Sequence, residues 1–466
     1  MAAPDSDRLS PEVWKISAVA LLGSLLSQLD ATIVNVSLTS LAADLHSTLS
    51  TIQWVTSGYL LALTLVLPLN GWLVDRIGGK ALYLWCFTAF TISSALCGLA
   101  WSAQSLIAFR VLQGVSGGLL APMAQMMIAR AAGRQMARVV GIMALPVLLA
   151  PVFGPIIAGA ILQYASWRWL FLVNLPVGAL ALLLAVLLLP ADRDQATARK
   201  LDWVGLMLLS PGLVLFLYGS DKLGDSMGRI SFGLGLAMMA VFLWSARRKG
   251  GDALVDLSLF KTKAFSVAAI TQFLSNGGMF AGQMLIPAFL IAGCGRTPGE
   301  MGWMLAPQGL GMMVTYPLMG WLTKRFGIRL TSAGGALLAC LSTLAFPYLA
   351  HQGFVLGVLI PALVLRGMGM SAVGLPSMTA AYASVNKARL PMATTSINIV
   401  QRLGGPTMTT IAATFLAWRL GGAASGPAVP AAYGAAFLLL AALHAATFLS
   451  AARLPDRLSD VATPEA

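Results

Sequence analysis

The stretch LPLNGWLVDRIGGK, Leu67 to Lys80, returns 249 residues later as YPLMGWLTKRFGIR, Tyr316 to Arg329, in a chain of 466 residues. Both copies close an apolar run with a glycine-containing basic turn. Chance likeness between greasy segments would not reproduce Pro-Leu-x-Gly-Trp-Leu together with that turn, so the chain is read as two homologous halves. A second correspondence sets Phe153-Gly154-Pro155 against Gly404-Gly405-Pro406 at an offset of 251, and Arg110 stands against Arg366 at a similar distance.

Outward from the repeat, 58% of residues are hydrophobic and 10% are charged, a balance that an ordinary water-soluble globule does not carry. The solvent is therefore lipid. About twenty apolar residues cross a bilayer as one helix, and unbroken runs of that length exclude a β-barrel. Fourteen such runs can be placed, the first at 16–38 and the last at 432–452. Six precede residue 190 and six follow 264, so two central helices look inserted. The expected fold is an all-α polytopic membrane protein. It comprises a six-helix bundle at 1–190, a linker with two helices at 191–263, a second six-helix bundle at 264–455 and a tail at 456–466.

The net charge of +13 and pI near 10 raise nucleic acid as a partner, but the basic residues cluster between apolar runs, as membrane topology requires. Placing both termini in the cytoplasm puts 22 of the 30 Lys and Arg on that side. Arg168, Lys222, Arg229, Arg296 and Arg419 face the other, and Arg110, Arg366 and Arg402 fall within spans. The four cysteines form no C-x-x-C pair and read as packing residues. The opening MAAPDSDRLSPEVWK leads into a retained first span, not a cleaved signal.

Asp30 is the only one of seventeen acidic residues deep inside a span. An ionised carboxylate at the bilayer centre costs about 2.5–3.5 kcal/mol, so it must be protonated, hydrated or paired. A proton-coupled carrier needs such a group; a purely structural Asp is the alternative. At helical spacing Gln28, Thr32 and Asn35 share one face of the first run, and Ser27, Asp30 and Ser37 share another. Neither suits lipid, so this helix is expected beside a polar cavity. Arg110 heads a stripe of Gly114, Gly117, Ala121 and Gln125, a small-residue face for close packing, and is the natural partner for Asp30.

Arg366 and Arg402 are weaker candidates for the cavity, because the second half offers no intramembrane acid. Gln53, Trp54, Tyr59, Met123 and Gln125 are further candidates for its lining, against the plainer reading of packing residues. In the loop after the second run, Gly71, Asp75, Arg76, Gly78 and Lys80 form a tight charged turn able to latch one conformation. Ala150, Gly154 and Ala158 follow small-xxx-small spacing, while Pro151 and Pro155 remove backbone donors. Together they predict a close, bent crossing that acts as a hinge or simply a kinked helix.

The Leu67–Lys80 loop resembles the signature of the major facilitator superfamily, and RVLQGVSGG at 110–118 resembles its fourth-helix motif. PVFGPIIAGAIL at 151–162 is similar to the superfamily's antiporter motif, with Ala158-Gly159 where a glycine pair is usual. LDATIVNVSL at 29–38, WRWLFLVNLPVG at 167–178, LDWVGLMLL at 201–209 and LVDLSLFKTKAF at 254–265 resemble the fourteen-helix drug:proton antiporters of EmrB/QacA type. Thr39 stands where that family commonly has Pro.

The resemblance implies the major-facilitator fold and proton-coupled export of small amphipathic or cationic compounds from a bacterial cytoplasmic membrane. It implies no cofactor beyond the proton gradient, and partnership with a periplasmic adaptor and outer-membrane channel where an outer membrane exists. A dedicated exporter or importer of one metabolite is the alternative on the same fold. A polytopic membrane enzyme lacks support: His46, His351 and His444 are isolated, no metal-ligand spacing appears, and the Walker pattern is absent.

Overall fold

The computed structural model describes residues 10–190, 200–421 and 428–456, and among these every regular element is helical. The long helices are α1 (Pro11–Val36), α2 (Leu49–Ile77), α3 (Gly79–Gly98), α4 (Ala103–Ala132), α5 (Met136–Tyr164), α6 (Trp169–Leu188) and α7 (Trp203–Asp221). They continue with α8 (Ser226–Lys249), α9 (Lys263–Ala288), α10 (Pro298–Thr343), α11 (Leu356–Ala383), α12 (Leu390–Leu420) and α13 (Ala428–Ala451). In lipid a helix satisfies its own backbone, so the ends need side chains. Ser10 caps α1 ahead of Pro11, Ser102 and Ser105 form a capping box on α4, and Thr297 and Glu300 form one on α10.

Eleven stretches among the described residues are long and apolar enough to cross a membrane. One of them, Trp303–Gln352, has 50 residues, far more than a single crossing needs. It is broken at Gly327, whose φ of 80° and ψ of 171° are not helical. Gly78 breaks the chain between α2 and α3 in the same way, with φ 95° and ψ 157°. The two glycines lie at the 249-residue offset of the repeat, in a backbone region that side chains avoid.

The basic residue two positions on is used alike in both copies. Lys80 Nζ donates to Val186 O and Leu189 O at 2.9 and 2.7 Å, at the end of α6. Arg329 Nε donates to Leu454 O at 2.7 Å, just past the end of α13. Each cation satisfies terminal carbonyls of the last helix in its half.

Small residues set the crossings. A Cβ at Gly114 or Gly118 of α4 would run into Tyr59 O or Leu63 O of α2, so the predicted stripe on α4 is a packing face. Gly154 of α5 lies against Thr32 of α1, and Gly404 of α12 lies against Phe273 O of α9, the corresponding crossing in the second half. A Cβ added at Gly159 would meet nothing within 4 Å among the described residues, so that position does not require a glycine for close packing there. The side chains of Pro151 and Pro155 lie outside the described residues.

The two halves meet unevenly. At the end carrying the basic loops one apolar core is common to both, joining Val13, Met126 and Met136 to Met319, Met378 and Leu390. Toward the other end it divides. Ile33, Val55 and Phe171 belong to a core of the first half alone, and Leu285, Phe346 and Phe437 to a core of the second. Polar contacts between halves fall at the joined end: Asn70 Nδ2 donates to Thr395 Oγ1 at 3.3 Å, and Gln125 Oε1 accepts from Asn398 Nδ2 at 2.9 Å and Tyr382 Oη at 3.3 Å.

The hairpin α7–α8 packs on itself through Gly219 and Gly235, and α7 rests on both α2 and α12. Asp202 ties its two ends, accepting from Gly205 N at 2.9 Å, Lys249 Nζ at 2.5 Å and Leu254 N at 3.1 Å. Asp256, in the connection after α8, pairs with Arg389 in the turn before α12. Burial pushes the Asp256 carboxyl up, but hydrogen bonds from Ser258 and Arg389 outweigh it and hold the group below the usual aspartate range.

A lowered folded-state value means that this tie is complete above the ordinary aspartate range, about pH 3.9, and is lost as pH falls through the lowered value. Arg389 is 42% exposed, so water screens the pair and its worth is about 1 kcal/mol. Asp256→Asn is expected to raise amide exchange in the turn at 384–389 roughly five-fold at neutral pH. Hydrogen-exchange mass spectrometry checks this, and unchanged protection would show the tie to be idle.

Candidate functional site

Asp30 lies in the last two turns of α1; it, Ser27 and Ser37 just past the helix end are buried, while Gln28 is exposed. Both Asp30 and Arg110 of α4 have 0% exposed side chains. Their charges meet directly, Arg110 Nη1 donating to Asp30 Oδ2 at 2.5 Å. Two neutral donors complete the carboxylate: Gln113 Nε2 at 3.1 Å and Asn174 Nδ2 at 2.9 Å, both to Oδ1. Asp30 therefore binds α1 to α4 and to α6 at once.

The guanidinium is held as tightly. Its Nε donates to Val55 O of α2 at 3.2 Å, and Nη1 also reaches Gln113 Oε1 at 2.7 Å. Tyr59 and Phe171 lie over it with ring centroids 4.2 and 5.7 Å from Cζ, and Tyr59 Oη meets Ser27 Oγ at 3.2 Å. An ion pair in such a medium is held better the more of its remaining lone pairs and protons are satisfied: Gln113, Asn174 and Val55 O supply such partners, whereas Arg110 Nη2 has none among the described residues. Aromatic faces add a cation–π contribution of about 2 kcal/mol when desolvated.

The expectation of an Asp30 facing a polar cavity is corrected. Tyr59 and Phe171 seal it, because helical periodicity reports which residues share a face but not what closes over it. Gln113 and Asn174 were not singled out from sequence. Both stand in quoted motifs, Gln113 three residues after Arg110 and Asn174 in WRWLFLVNLPVG, yet an amide in an apolar run carries no charge to demand a partner.

Other candidates fall in several places. Met123 is fully buried in the core common to both halves, which corrects its assignment to a cavity wall, since a large thioether at a helix crossing packs. Trp54 stacks on Tyr218 of α7, 6.2 Å between centroids, at the seam with the hairpin. Gln53 is exposed at the start of α2, Gln125 bridges the halves, and the side chain of Asn35 lies outside the described residues. In the charged turn, Gly71 abuts Pro391 and Met392 of α12, Asp75 is partly buried, and Arg76 is exposed.

The second half repeats the site without its acid. Arg366 of α11 is fully buried and donates to Gln308 Oε1 at 3.0 Å and Gly278 O at 3.1 Å, with Nε unpartnered among the described residues. Gln308 stands at the repeat offset from Tyr59. Gly278 and Gly282 of α9 pack on the guanidinium where α1 presents Asp30 to Arg110. Arg402 of α12 is partly buried and makes no hydrogen bond or ion pair with a described residue.

Residues 20–405 match the family model described as Major Facilitator Superfamily. A protein of Mycobacterium tuberculosis named multidrug resistance protein B homolog is 35% identical over 89% of this chain and 78% of its own length. The multidrug resistance protein MdtD of Serratia proteamaculans is 33% identical over 73% of this chain and 72% of its own. Among solved structures, the human organic anion transporter MFSD10 superposes with a TM-score of 0.64 over 95% of this chain and 100% of its own, at 17% identity, a likeness of fold alone.

Proposed function

The chain belongs to the major facilitator superfamily, and from that premise we propose that it exports small amphipathic compounds from a bacterial cell by alternating access, in exchange for protons taken up at Asp30. The observation that carries this reading is the Asp30–Arg110 pair, a lone acid at 0% exposure held by donors from two other helices. Relatives named for multidrug resistance support the export direction.

In this reading the chain crosses the membrane fourteen times. The eleven apolar stretches, the break at Gly327, and the long helices α5 and α12 are consistent with that number. The excess of Lys and Arg assigns the joined end to the cytoplasm. The split core then faces outward, so the molecule is open to the outside.

Asp30 couples the proton to this opening through packing. A proton on the carboxylate removes the charge that holds Arg110 and weakens the hold of α1 on α4 and α6. Two residues along α1, Thr32 supports Gly154 of α5. Farther along α5, Gly141 lies against Tyr316 O of α10 in the other half. Loosening α1 thus reaches the contact that keeps the cytoplasmic end shut. One proton moved through 100 mV gains about 2.3 kcal/mol, enough for a roughly forty-fold substrate gradient.

Purified protein in liposomes, loaded with a fluorescent amphipathic drug and given proton gradients of either sign, tests the direction. Antiport predicts that drug moves against the proton in both cases. Movement with the proton would identify an importer, and no response to either gradient would remove proton coupling.

A further inference from the structure

The charges inside the described spans do not balance. Asp30 is the only acid deep in the membrane, and Arg110 neutralises it. Arg366 and Arg402 remain, both in the second half, and among the described residues no carboxylate pairs with either. Each uncompensated guanidinium in the bilayer interior is costly, and such residues mark sites where a charge is handled.

The two differ in access. Arg366 is sealed, with amide and backbone oxygens from Gln308 and Gly278 around it and His444 beyond Gly278. Arg402 is only partly buried and its donors are free. It stands on α12 of the second half. Its neighbour Gln401 is fixed to Gln272 of α9 at 2.8 Å, which anchors this turn of α12.

We propose that Arg402 binds a negatively charged group, a carboxylate, sulfonate or phosphate carried on an apolar body, and that the exported compounds are therefore anionic amphiphiles. A planar guanidinium with unused donors matches such a group in a bidentate fashion. Arg366, buried in the same half, adds a fixed positive charge of the same sign and disfavours cationic compounds. The assignment of this anion as transported substrate rests on the export reading above; the binding site itself does not.

The test uses 4-butylbenzoate, 4-butylbenzamide and 4-butylbenzylammonium, three probes that share a butylphenyl body and carry an anionic, a neutral and a cationic head. Binding to the full chain in phosphatidylcholine nanodiscs is followed by thermal stabilisation and by equilibrium dialysis. The benzoate is expected to bind at least ten-fold more tightly than the other two, Arg402→Gln to abolish that preference, and Arg402→Lys to restore most of it. Equal or tighter binding of the ammonium to the unaltered chain overturns the proposal, whether or not the Gln variant folds. Loss of benzoate binding on moving to phosphatidylglycerol nanodiscs would make the bound anion a lipid phosphate, which overturns the anion as exported compound and leaves Arg402 as an anion site. Gradient-driven transport of the ammonium but not the benzoate sinks the anion site and spares the export reading. Benzoate binding without gradient-driven transport sinks the export reading and leaves the site in place.

Discussion

Asp30→Asn is expected to abolish gradient-driven accumulation in inverted vesicles, the drug ratio falling from as much as roughly forty-fold per 100 mV to the passive level near unity. The amide keeps one oxygen for Arg110 and nearly the same volume, but it cannot gain or release a proton in the accessible range. The other described acids in the first half, Glu12, Asp44 and Asp75, lie toward the ends of its helices and do not replace it. The change also leaves Arg110 without a counter-charge, so the variant is expected to melt earlier; drug binding to the folded fraction separates lost coupling from lost protein. Undiminished pH-gradient-dependent uptake by the variant would take Asp30 out of the coupling role.

Arg110→Gln is expected to act on stability more than any other single change. Removing one member of a fully buried ion pair leaves the other charge without a partner and costs about 3–5 kcal/mol. Asp30 would keep Gln113 and Asn174, but neither brings charge. The carboxyl is then expected to hold its proton throughout, uncoupling transport even where the fold survives. Adding Asp30→Asn removes the stranded charge, so the double variant should be more stable than Arg110→Gln alone. Melting temperatures of the four proteins in one detergent measure this cycle. Simple additivity of the two losses would mean that the pair seen at 2.5 Å carries no coupling energy.

Much of this was legible in the amino-acid sequence because lipid leaves few options. The apolar runs, the repeat around Gly78 and Gly327, and the small-residue face of α4 follow from bilayer thickness, turn geometry and close packing, and the backbone shows each of them. Asp30 and Arg110 were visible because a charge in hydrocarbon needs a partner. Gln113 and Asn174 were not, since an amide satisfies itself in many settings and only the third dimension shows three helices meeting at one carboxylate. Met123 and Trp54 misled for the opposite reason: Met and Trp suit a binding pocket and a helix contact equally well. The depth of Asp30 was hidden too, because a ring from α2 and another from α6 close over the pair from separate parts of the chain.

The divided core has a pharmacological corollary. A compound wedged between the Phe171 side and the Phe437 side would hold the mouth apart and stall turnover from the external medium. An inhibitor of that design has no need to cross the bilayer, and on the proposed export reading it could not be expelled as cargo while it remained lodged there.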